Sequence, residues 1–403
     1  MMFRAVAAAL VAASLAATAP ALAQKKYDPG ASDSEIKIGN TGPYSGPASA
    51  FGTVGTAMSA YFKMINDKGG VRGRKINFIS LDDGYSPPKT VEQVRRLVEQ
   101  EQVLMLFSNL GTATSVAIHK YNNAKKVPHV FVASGLHRWA DPQHFPWTIG
   151  WVPSYFIEGA IYGRYVLENV PNPKAALLSQ NDDAGKEFVA GFKHGLGDKA
   201  KAIVVGDVTY ESTDGTVDSQ VIMLAGTGAN VFLNAASPKF AAQAIRKASD
   251  LGWKPVQFLI NTAASVQATL RPAGFEKSVG IITAQYLKDP SDPAWDNDPE
   301  MNAWRAFMDK YYPNGSKIDS FNVYAAAVSA SLVHVLEQSG DDLTRANIMR
   351  QAANLKDVRV PLLLPGIRLN TTSADFSPIR QVQLAKFNGK NWALFGELIS
   401  SPK

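Results

Sequence analysis

Residues 35–83 read EIKIGNTGPYSGPASAFGTVGTAMSAYFKMINDKGGVRGRKINFISLDD, and this stretch decides the fold class. Apolar and polar residues alternate at 35–40 as in a strand, and apolar residues then recur at helical spacing until Gly69-Gly70 ends the helix. A second strand-like run follows at 76–81. The stretch therefore predicts a β-loop-α-β unit, whose Gly-, Pro- and Ser-rich loop at 41–50 lies where open α/β sheets bind their ligands.

The same alternation of strands and helices continues along most of the chain. Further strand-like runs are predicted at 103–107, 129–133, 175–179, 202–208, 231–234, 257–260, 381–386 and 392–395. Helices are predicted at 90–101, 115–124, 157–170, 186–196, 217–225, 239–251, 302–311, 320–338 and 343–354. The last two strands flank Asn388-Gly389, which is a strong hairpin signal. Regular alternation predicts parallel sheets with helices on both faces, and its length predicts two domains.

The first 23 residues have the pattern of a secretory signal peptide. Arg4 precedes an uncharged, mostly apolar run at 5–17, and Ala21-Leu22-Ala23 then forms an A-x-A cleavage site. A membrane anchor or a disordered tail is the alternative, but the apolar run is too short to span a bilayer. We therefore expect cleavage after Ala23 and a soluble protein in the periplasm.

Composition excludes several classes of function. The sequence contains no cysteine, so disulfides and Cys-ligated metal sites are excluded. Its 41 Lys and Arg only slightly exceed its 35 Asp and Glu, and the two signs are interspersed along helices, which is typical of a solvated surface rather than a nucleic-acid site. The six histidines lack metal-ligand spacing, and the acidic segment at 289–299 lacks the pattern of a calcium loop. We predict no metal, no cofactor and no nucleic acid.

Three short motifs give the chain a resemblance to a known family. They are GPYSG at 42–46, FG at 51–52 and INDKGGVRGRKI at 65–76. In this order and spacing the chain resembles the type I periplasmic solute-binding proteins of ABC importers, in the branch of the Leu/Ile/Val-binding proteins. The resemblance implies a two-lobe α/β fold, in which each lobe is a parallel sheet flanked by helices and three hinge segments cross between the lobes.

The resemblance also implies that each lobe is built from two separate parts of the chain. The expected boundaries are 34–149 with 287–362 for the first lobe, and 150–286 with 363–400 for the second. The candidate crossing segments are 147–154, 284–289 and 362–369. Several crossings permit a closing motion with little lateral slip.

In the first lobe, a small, polar loop follows the strand at 103–107 and leads into a helix. Free N–H groups and hydroxyls at a helix start can bind a carboxylate, although N-capping by Thr112 or Thr114 is the alternative. The resemblance implies that this loop holds the carboxylate of the ligand. His137 is a further candidate, with structural packing as its alternative. The ligand contacts expected in this lobe are Tyr44, Phe51, Ser108, Asn109, Gly111, Thr112, Ala133, Ser134 and Gly135.

The second lobe departs from the amino-acid binders of the family. Ala184 stands where those proteins usually have a tyrosine, and the loop at 234–239 has no acidic residue to pair with a ligand ammonium. Asp182 and Asp183 could supply that charge, but capping of the following helix is the favoured interpretation. The ligand contacts expected in this lobe are Asp183, Ala184, Ala236 and Ser237.

We therefore expect a small carboxylated ligand without an amine, and we favour an aromatic monocarboxylate. Such a ring would be held by apolar contact and stacking on aromatic residues such as Tyr44, Phe51, Trp151 and Tyr155. The chain is expected to act as a monomer that delivers the ligand to an inner-membrane ABC permease. Binding of a branched-chain amino acid or an amide in the same role stays open, as does a periplasmic sensor for a signalling partner. No catalytic motif is present, so an enzyme is not expected.

Overall fold

A computed structural model describes residues 25–400, so the predicted signal peptide at 1–23 lies outside the described residues. The strands are β1 (Lys26–Tyr27), β2 (Glu35–Gly42), β3 (Lys75–Asp82), β4 (Met105–Phe107), β5 (His129–Val132), β6 (Thr148–Gly150), β7 (Ala175–Gln180), β8 (Val204–Tyr210), β9 (Val231–Ala235), β10 (Val256–Leu259), β11 (Ile282–Gln285), β12 (Asp342–Leu343), β13 (Gln381–Phe387) and β14 (Trp392–Ser400). The α-helices are α1 (Gly52–Asp67), α2 (Pro87–Arg95), α3 (Thr112–Lys125), α4 (Tyr155–Asn169), α5 (Asp183–Leu196), α6 (Ala200–Ile203), α7 (Asp218–Ala225), α8 (Pro238–Asp250), α9 (Arg271–Ala273), α10 (Phe275–Ser278), α11 (Pro299–Tyr311), α12 (Ser320–Ser339) and α13 (Arg345–Ala352).

The strands form two large sheets, and each is the centre of one lobe. The first sheet is parallel throughout, in the order β3-β2-β4-β5-β6. The second has the order β14-β13-β11-β10-β9-β7-β8, with parallel pairing from β8 to β11 and an antiparallel β13-β14 hairpin at its edge. The predicted two-lobe α/β fold is confirmed, and so is the hairpin around Asn388-Gly389.

Two predicted strands begin later than expected, β4 at Met105 and β8 at Val204. The apolar run at 202–208 predicts a strand, but residues Ala200–Ile203 form the short helix α6 and the strand is Val204–Tyr210. Alanine and lysine favour a helical turn, and here that turn follows α5 through a 3-10 turn at Gly197–Lys199.

Three connections join the two sheets. β6 leads into α4 through 151–154, β11 leads into α11 through 286–298, and α13 leads into β13 through 353–380. Leu287 pairs with Leu363 in an antiparallel bridge, so the second and third connections lie side by side. The predicted crossing segments thus connect the sheets, while the residue boundaries of the lobes stay a prediction.

In the second lobe, helices α4 and α5 pack with their backbones in contact. A Cβ atom at Gly163 would lie 2.2 Å from the carbonyl oxygen of Phe192, and one at Gly191 would lie 2.0 Å from that of Phe156. Only glycine permits so close an approach. This packing fixes the position of α5, whose first turn faces the space between the lobes.

Candidate functional site

A cavity of about 120 Å³ lies between the two lobes. Most of the surface around it is apolar or aromatic. The first lobe contributes Phe51, Val54, Tyr85, Leu110, Gly111, Thr112, Ala133, Ser320, Phe321 and Tyr324. The second lobe contributes Tyr155, Gln180, Ala184, Gly185, Ala235, Ala236, Ser237, Ile260, Asn261, Thr262 and Gln285. The connections contribute Val152, Tyr286, Leu287, Lys288 and Asp289.

The first-lobe wall is shaped by the turn that leads from β4 into α3. Gly111 has φ 108°, and a Cβ atom there would lie 2.5 Å from the ring of Tyr85. The turn places Thr112 at the first position of α3, where its Oγ1 lies 2.7 Å from Oγ of Ser134. No side chain caps this helix, because Thr114 Oγ1 donates to the carbonyl of Leu110 instead. The alternative role of Thr112 and Thr114 as N-caps is therefore wrong.

Four tyrosines surround the cavity, namely Tyr85, Tyr155, Tyr286 and Tyr324. Burial raises the pKa of Tyr155 to about 12, and it raises the pKa of the other three well above the usual value of a tyrosine. All four hydroxyls therefore keep their proton at neutral pH and can donate hydrogen bonds. Tyr85 and Tyr324 lie in the first lobe with Thr112, Tyr155 lies in the second lobe and Tyr286 in a connection. The cavity is thus bordered by several neutral donors, which suits a carboxylate.

Polar groups of the second-lobe wall bind one another. The hydroxyl of Tyr210, behind the wall, donates to Gln180 Oε1 at 3.1 Å and lies 3.2 Å from Ser237 Oγ. Gln180 Nε2 donates to Asp182 Oδ2 at 2.6 Å, and the other oxygen of Asp182 accepts from the N–H of Gly185 at 3.0 Å. Asp182 therefore caps α5, as the favoured interpretation predicts. What this wall offers to a ligand is mainly space, beside the small Ala184 and Ala236.

Helix α5 also contacts the first lobe outside the cavity. Both carboxylate oxygens of Glu187 accept a hydrogen bond from the N–H of His137, at 2.9 and 3.0 Å. Arg138 Nη2 lies 3.6 Å from Asp183 Oδ2. Burial raises the pKa of Glu187 to about 7. His137 and Asp183, both expected near the ligand, thus join the two lobes and do not border the cavity.

The structure brings seven of the predicted residues to the cavity, namely Phe51, Gly111, Thr112, Ala133, Ala184, Ala236 and Ser237. Ser108 and Ser134 lie one layer behind the wall, where Ser108 Oγ is 3.0 Å from the hydroxyl of Tyr324 and Ser134 meets Thr112. Gly135 packs against the ring of Tyr155. Contact of any of these residues with a ligand stays a prediction.

Three predicted residues lie farther from the cavity. The hydroxyl of Tyr44 is 2.5 Å from Ser80 Oγ, so its ring packs inside the first lobe. Asn109 is buried and donates to Thr41 Oγ1 at 2.9 Å. Trp151 is also buried, and its Nε1 donates to Ser331 Oγ at 3.0 Å. Of the four aromatic residues expected to stack on a ring, Phe51 and Tyr155 border the cavity.

Sequence reasoning missed the residues that the second connection brings to the cavity. Lys288 and Asp289 are the charged residues that border it. The Lys288 ammonium binds Asp298 Oδ2 at 2.7 Å and Glu300 Oε2 at 2.9 Å, so two carboxylates already neutralise it. The predicted crossing at 284–289 held the signal that could have found them, because a segment that crosses a cleft must border it.

Two kinds of feature are absent from the part of the chain that the structure describes. No helix within residues 25–400 has the length and apolar character that crossing a membrane requires. Within the same range, no three His, Cys, Asp or Glu side chains are grouped so as to hold a metal ion.

Comparison with protein families identifies the chain. A family model described as periplasmic binding protein matches residues 35–391, and the chain belongs to this family. Its members are solute-binding proteins that work with ABC permeases, and the family name implies a periplasmic location. The predicted family of periplasmic solute-binding proteins is confirmed. No curated protein is significantly similar to the chain in sequence.

Solved structures of low sequence identity share the fold. A substrate-binding periplasmic protein from Ralstonia solanacearum is 19% identical, with a TM-score of 0.81 over 90% of this chain and 100% of that one. A fatty acid ABC transporter substrate-binding protein from Thermomonospora curvata is 22% identical, with a TM-score of 0.79 over 94% and 95%. A branched chain amino acid ABC transporter from Thermus thermophilus with bound valine is 16% identical, with a TM-score of 0.81 over 91% and 97%.

Proposed function

We propose that this periplasmic binding protein captures an aromatic monocarboxylate in the cavity between its lobes and delivers it to an inner-membrane ABC permease. It is exported through the cleavable signal peptide at 1–23 and acts as a monomer. It changes no covalent bond of the ligand. Contacts between the ligand and both lobes stabilise the closed state, and the permease recognises that state.

The observation that carries this proposal is the cavity itself, which combines neutral donors with a small, largely apolar space. Its volume of about 120 Å³ is close to the roughly 150 Å³ of a cavity that admits benzene, so a ligand with a single ring matches it in size. Thr112 and the tyrosine hydroxyls supply donors for a carboxylate, while Phe51 and Phe321 supply apolar contact. Alanine at 184, where the amino-acid binders of the family usually have a tyrosine, leaves space for the ring.

Contacts between the lobes support the hinge mechanism. Glu187 binds the N–H of His137 on one side of the cleft, and Ser265 Oγ donates to Asp319 Oδ1 at 2.8 Å on another. Ser265 lies between two strands of the second sheet, and Asp319 caps α12 in the first lobe. Such contacts form only when the lobes meet, so they favour the closed state around a bound ligand.

A branched-chain amino acid is the second candidate ligand. The Thermus neighbour holds valine, which is also a small carboxylate, and the volume of the cavity suits a side chain of that size. A long fatty acid fits this volume poorly, although the Thermomonospora neighbour is described as a fatty acid binder. A sensor that reports the same ligand to a signalling partner would differ only in its partner.

A thermal-shift screen tests the proposal. The purified chain is heated with benzoate, cinnamate, leucine, valine, hexanoate and a short dicarboxylate, each at the same concentration. A ligand at 100 times its dissociation constant stabilises the protein by about 2.7 kcal/mol, which gives a clear shift. We expect the largest shift with an aromatic monocarboxylate. A clear preference for leucine or valine would overturn that choice and leave the second candidate.

A further inference from the structure

Asp289 differs from every other residue around the cavity. It lies in the connection from β11 to α11 and is only 5% exposed. Its Oδ1 accepts hydrogen bonds from the N–H of Ser291, at 2.7 Å, and from the Ser291 hydroxyl. Its Oδ2 is buried and has no hydrogen-bond partner within residues 25–400.

This unpaired oxygen is unusual within the site. Among the described residues that border the cavity, Asp289 Oδ2 is the only buried side-chain nitrogen or oxygen without a partner. Native proteins leave few such groups, because a buried acceptor without a donor loses the hydrogen bonds that water would make. A hydrogen-bond donor on the ligand would supply the partner that the folded chain does not provide.

The neighbouring charges do not satisfy Asp289. Lys288 is next in sequence, but its ammonium binds Asp298 and Glu300. The nearby Asp292 and Asp319 are also acidic, and each caps a helix with its Oδ1. Burial, and then repulsion from these two carboxylates, raises the pKa of Asp289 to about 6, so it is mostly ionised at neutral pH. This corner of the cavity therefore attracts a hydrogen-bond donor and repels a carboxylate.

The residues around the cavity consequently offer two opposite kinds of polar group. Thr112 and the four neutral tyrosines can donate to an acid, whereas Asp289 in the second connection is a buried acceptor. We propose that Asp289 accepts a hydrogen bond from an O–H or N–H group of the ligand, so that the ligand is a carboxylic acid with a second, donating group. The inference rests on the proposed function, because it takes this cavity as the ligand site. Within the aromatic class it selects hydroxylated acids over plain ones.

Matched ligand pairs and one isosteric variant test the inference. The pairs are 4-hydroxybenzoate with benzoate, and leucine with 4-methylpentanoate, and calorimetry gives each dissociation constant. In Asp289→Asn the Ser291 N–H holds the amide oxygen at the position of Oδ1, so an NH₂ group replaces Oδ2 and the acceptor becomes a donor. Asp292→Asn is the control, since Asp292 lies outside the cavity and asparagine caps a helix equally well.

We expect the wild type to prefer the donor-bearing member of a pair by about tenfold or more. Asp289→Asn should remove that preference by weakening the donor-bearing member, with the donor-free member changed less than about threefold. Asp292→Asn should keep the preference. If Asp289→Asn does not fold, the wild-type comparison within each pair still decides, because equal binding of both members overturns the inference.

Failure of the inference and failure of the proposed function give different results. Equal, tight binding of benzoate and 4-hydroxybenzoate by wild type and Asp289→Asn would overturn the role of Asp289 and leave the aromatic assignment standing. Binding of leucine alone, lost in Asp289→Asn, would support Asp289 and overturn the aromatic assignment. Absence of binding by all four acids would overturn both.

Discussion

The two walls of the cavity differ in the side chains that they present. In the first-lobe wall, Thr112, Tyr85 and Tyr324 border the cavity, and their hydroxyl groups stay protonated. In the second-lobe wall, Gln180 and Ser237 are already bound to Tyr210, and the small Ala184, Ala235 and Ala236 border the cavity with them. From this difference we expect the first lobe to orient the ligand, and the second lobe to set its size and close over it. Removal of a hydroxyl group should therefore affect mainly binding in the first lobe and mainly stability in the second.

The largest effect should come from Gly111→Ala in the first-lobe wall. The new Cβ atom would lie 2.5 Å from the Tyr85 ring and 2.6 Å from Thr114 Oγ1, at a residue with positive φ. We expect a loss of about 2–4 kcal/mol in the free energy of unfolding, measured in urea, together with loss of ligand binding. Gly69→Ala is the control, because Gly69 has φ 110° but nothing within 4 Å of the new atom. Equal effects of both substitutions would mean that backbone strain alone is responsible.

Thr112→Val should weaken binding with little change in shape. The substitution removes the hydroxyl and keeps the branched volume, so we expect an increase of about tenfold in the dissociation constant measured by calorimetry. Thr114→Val, in the same turn, removes a hydroxyl that donates to Leu110 and should leave binding within about twofold. An unchanged affinity in Thr112→Val would remove this hydroxyl from the site.

Tyr210→Phe tests the second-lobe wall in the same manner. It leaves Gln180 and Ser237 without a hydrogen bond that each has in the wild type. We expect a loss of about 1–2 kcal/mol in unfolding free energy, with a smaller change in affinity than in Thr112→Val. A large loss of affinity with unchanged stability would show that the second lobe also orients the ligand.

The smallest expected effect is the pH dependence of closure. Glu187 has a pKa of about 7 when it contacts His137, against a usual value near 4.5, so it takes up a proton on closure between these pH values. A raised acid pKa means that closure is favoured at low pH and weakens as pH rises toward 7, with no further change above. Because Glu187 is partly exposed and Arg138 lies nearby, we expect only about a threefold rise in the dissociation constant between pH 5.5 and 7.5.

Glu187→Gln provides the test of this pH dependence. Asp289 titrates in the same range, so the difference between wild type and Glu187→Gln isolates the contribution of Glu187. Glu168→Gln, on the exposed face of α4, serves as the control. Identical pH profiles in the wild type and Glu187→Gln would contradict a role of this contact in closure.

Local patterns explain the predictions that succeeded. Strand alternation at 35–40, the glycines at 69–70 and the Asn388-Gly389 turn each act over a few residues, and each forms the predicted element. The loop before α3 could also be predicted from the sequence. A strand end followed by a helix start places Gly111 and Thr112 at the edge of the sheet. These features require no knowledge of distant contacts.

Side-chain positions that depend on contacts distant in the sequence could not be predicted in this way. Tyr44 lies in a motif loop, yet its ring turns away from the cavity because Ser80 and Gly55 receive it inside the first lobe. Asp289 looked like part of an acidic surface segment, although the connection between the lobes buries it at the cavity. The direction of the Tyr44 ring has no signal within a few residues, and for Asp289 the predicted crossing at 284–289 was the available indication.

The sequence by itself determined the two-lobe α/β class, the order of its elements and the loops at which a ligand should bind, because periodicity, turn residues and helix signals act locally. Only the tertiary structure decided which side chains of those loops reach the cavity, that the second-lobe polar groups satisfy one another, and that Asp289 is left without a partner. The physical reason is that hydrogen-bond satisfaction and burial depend on residues that are distant in the chain and meet only when both lobes are folded.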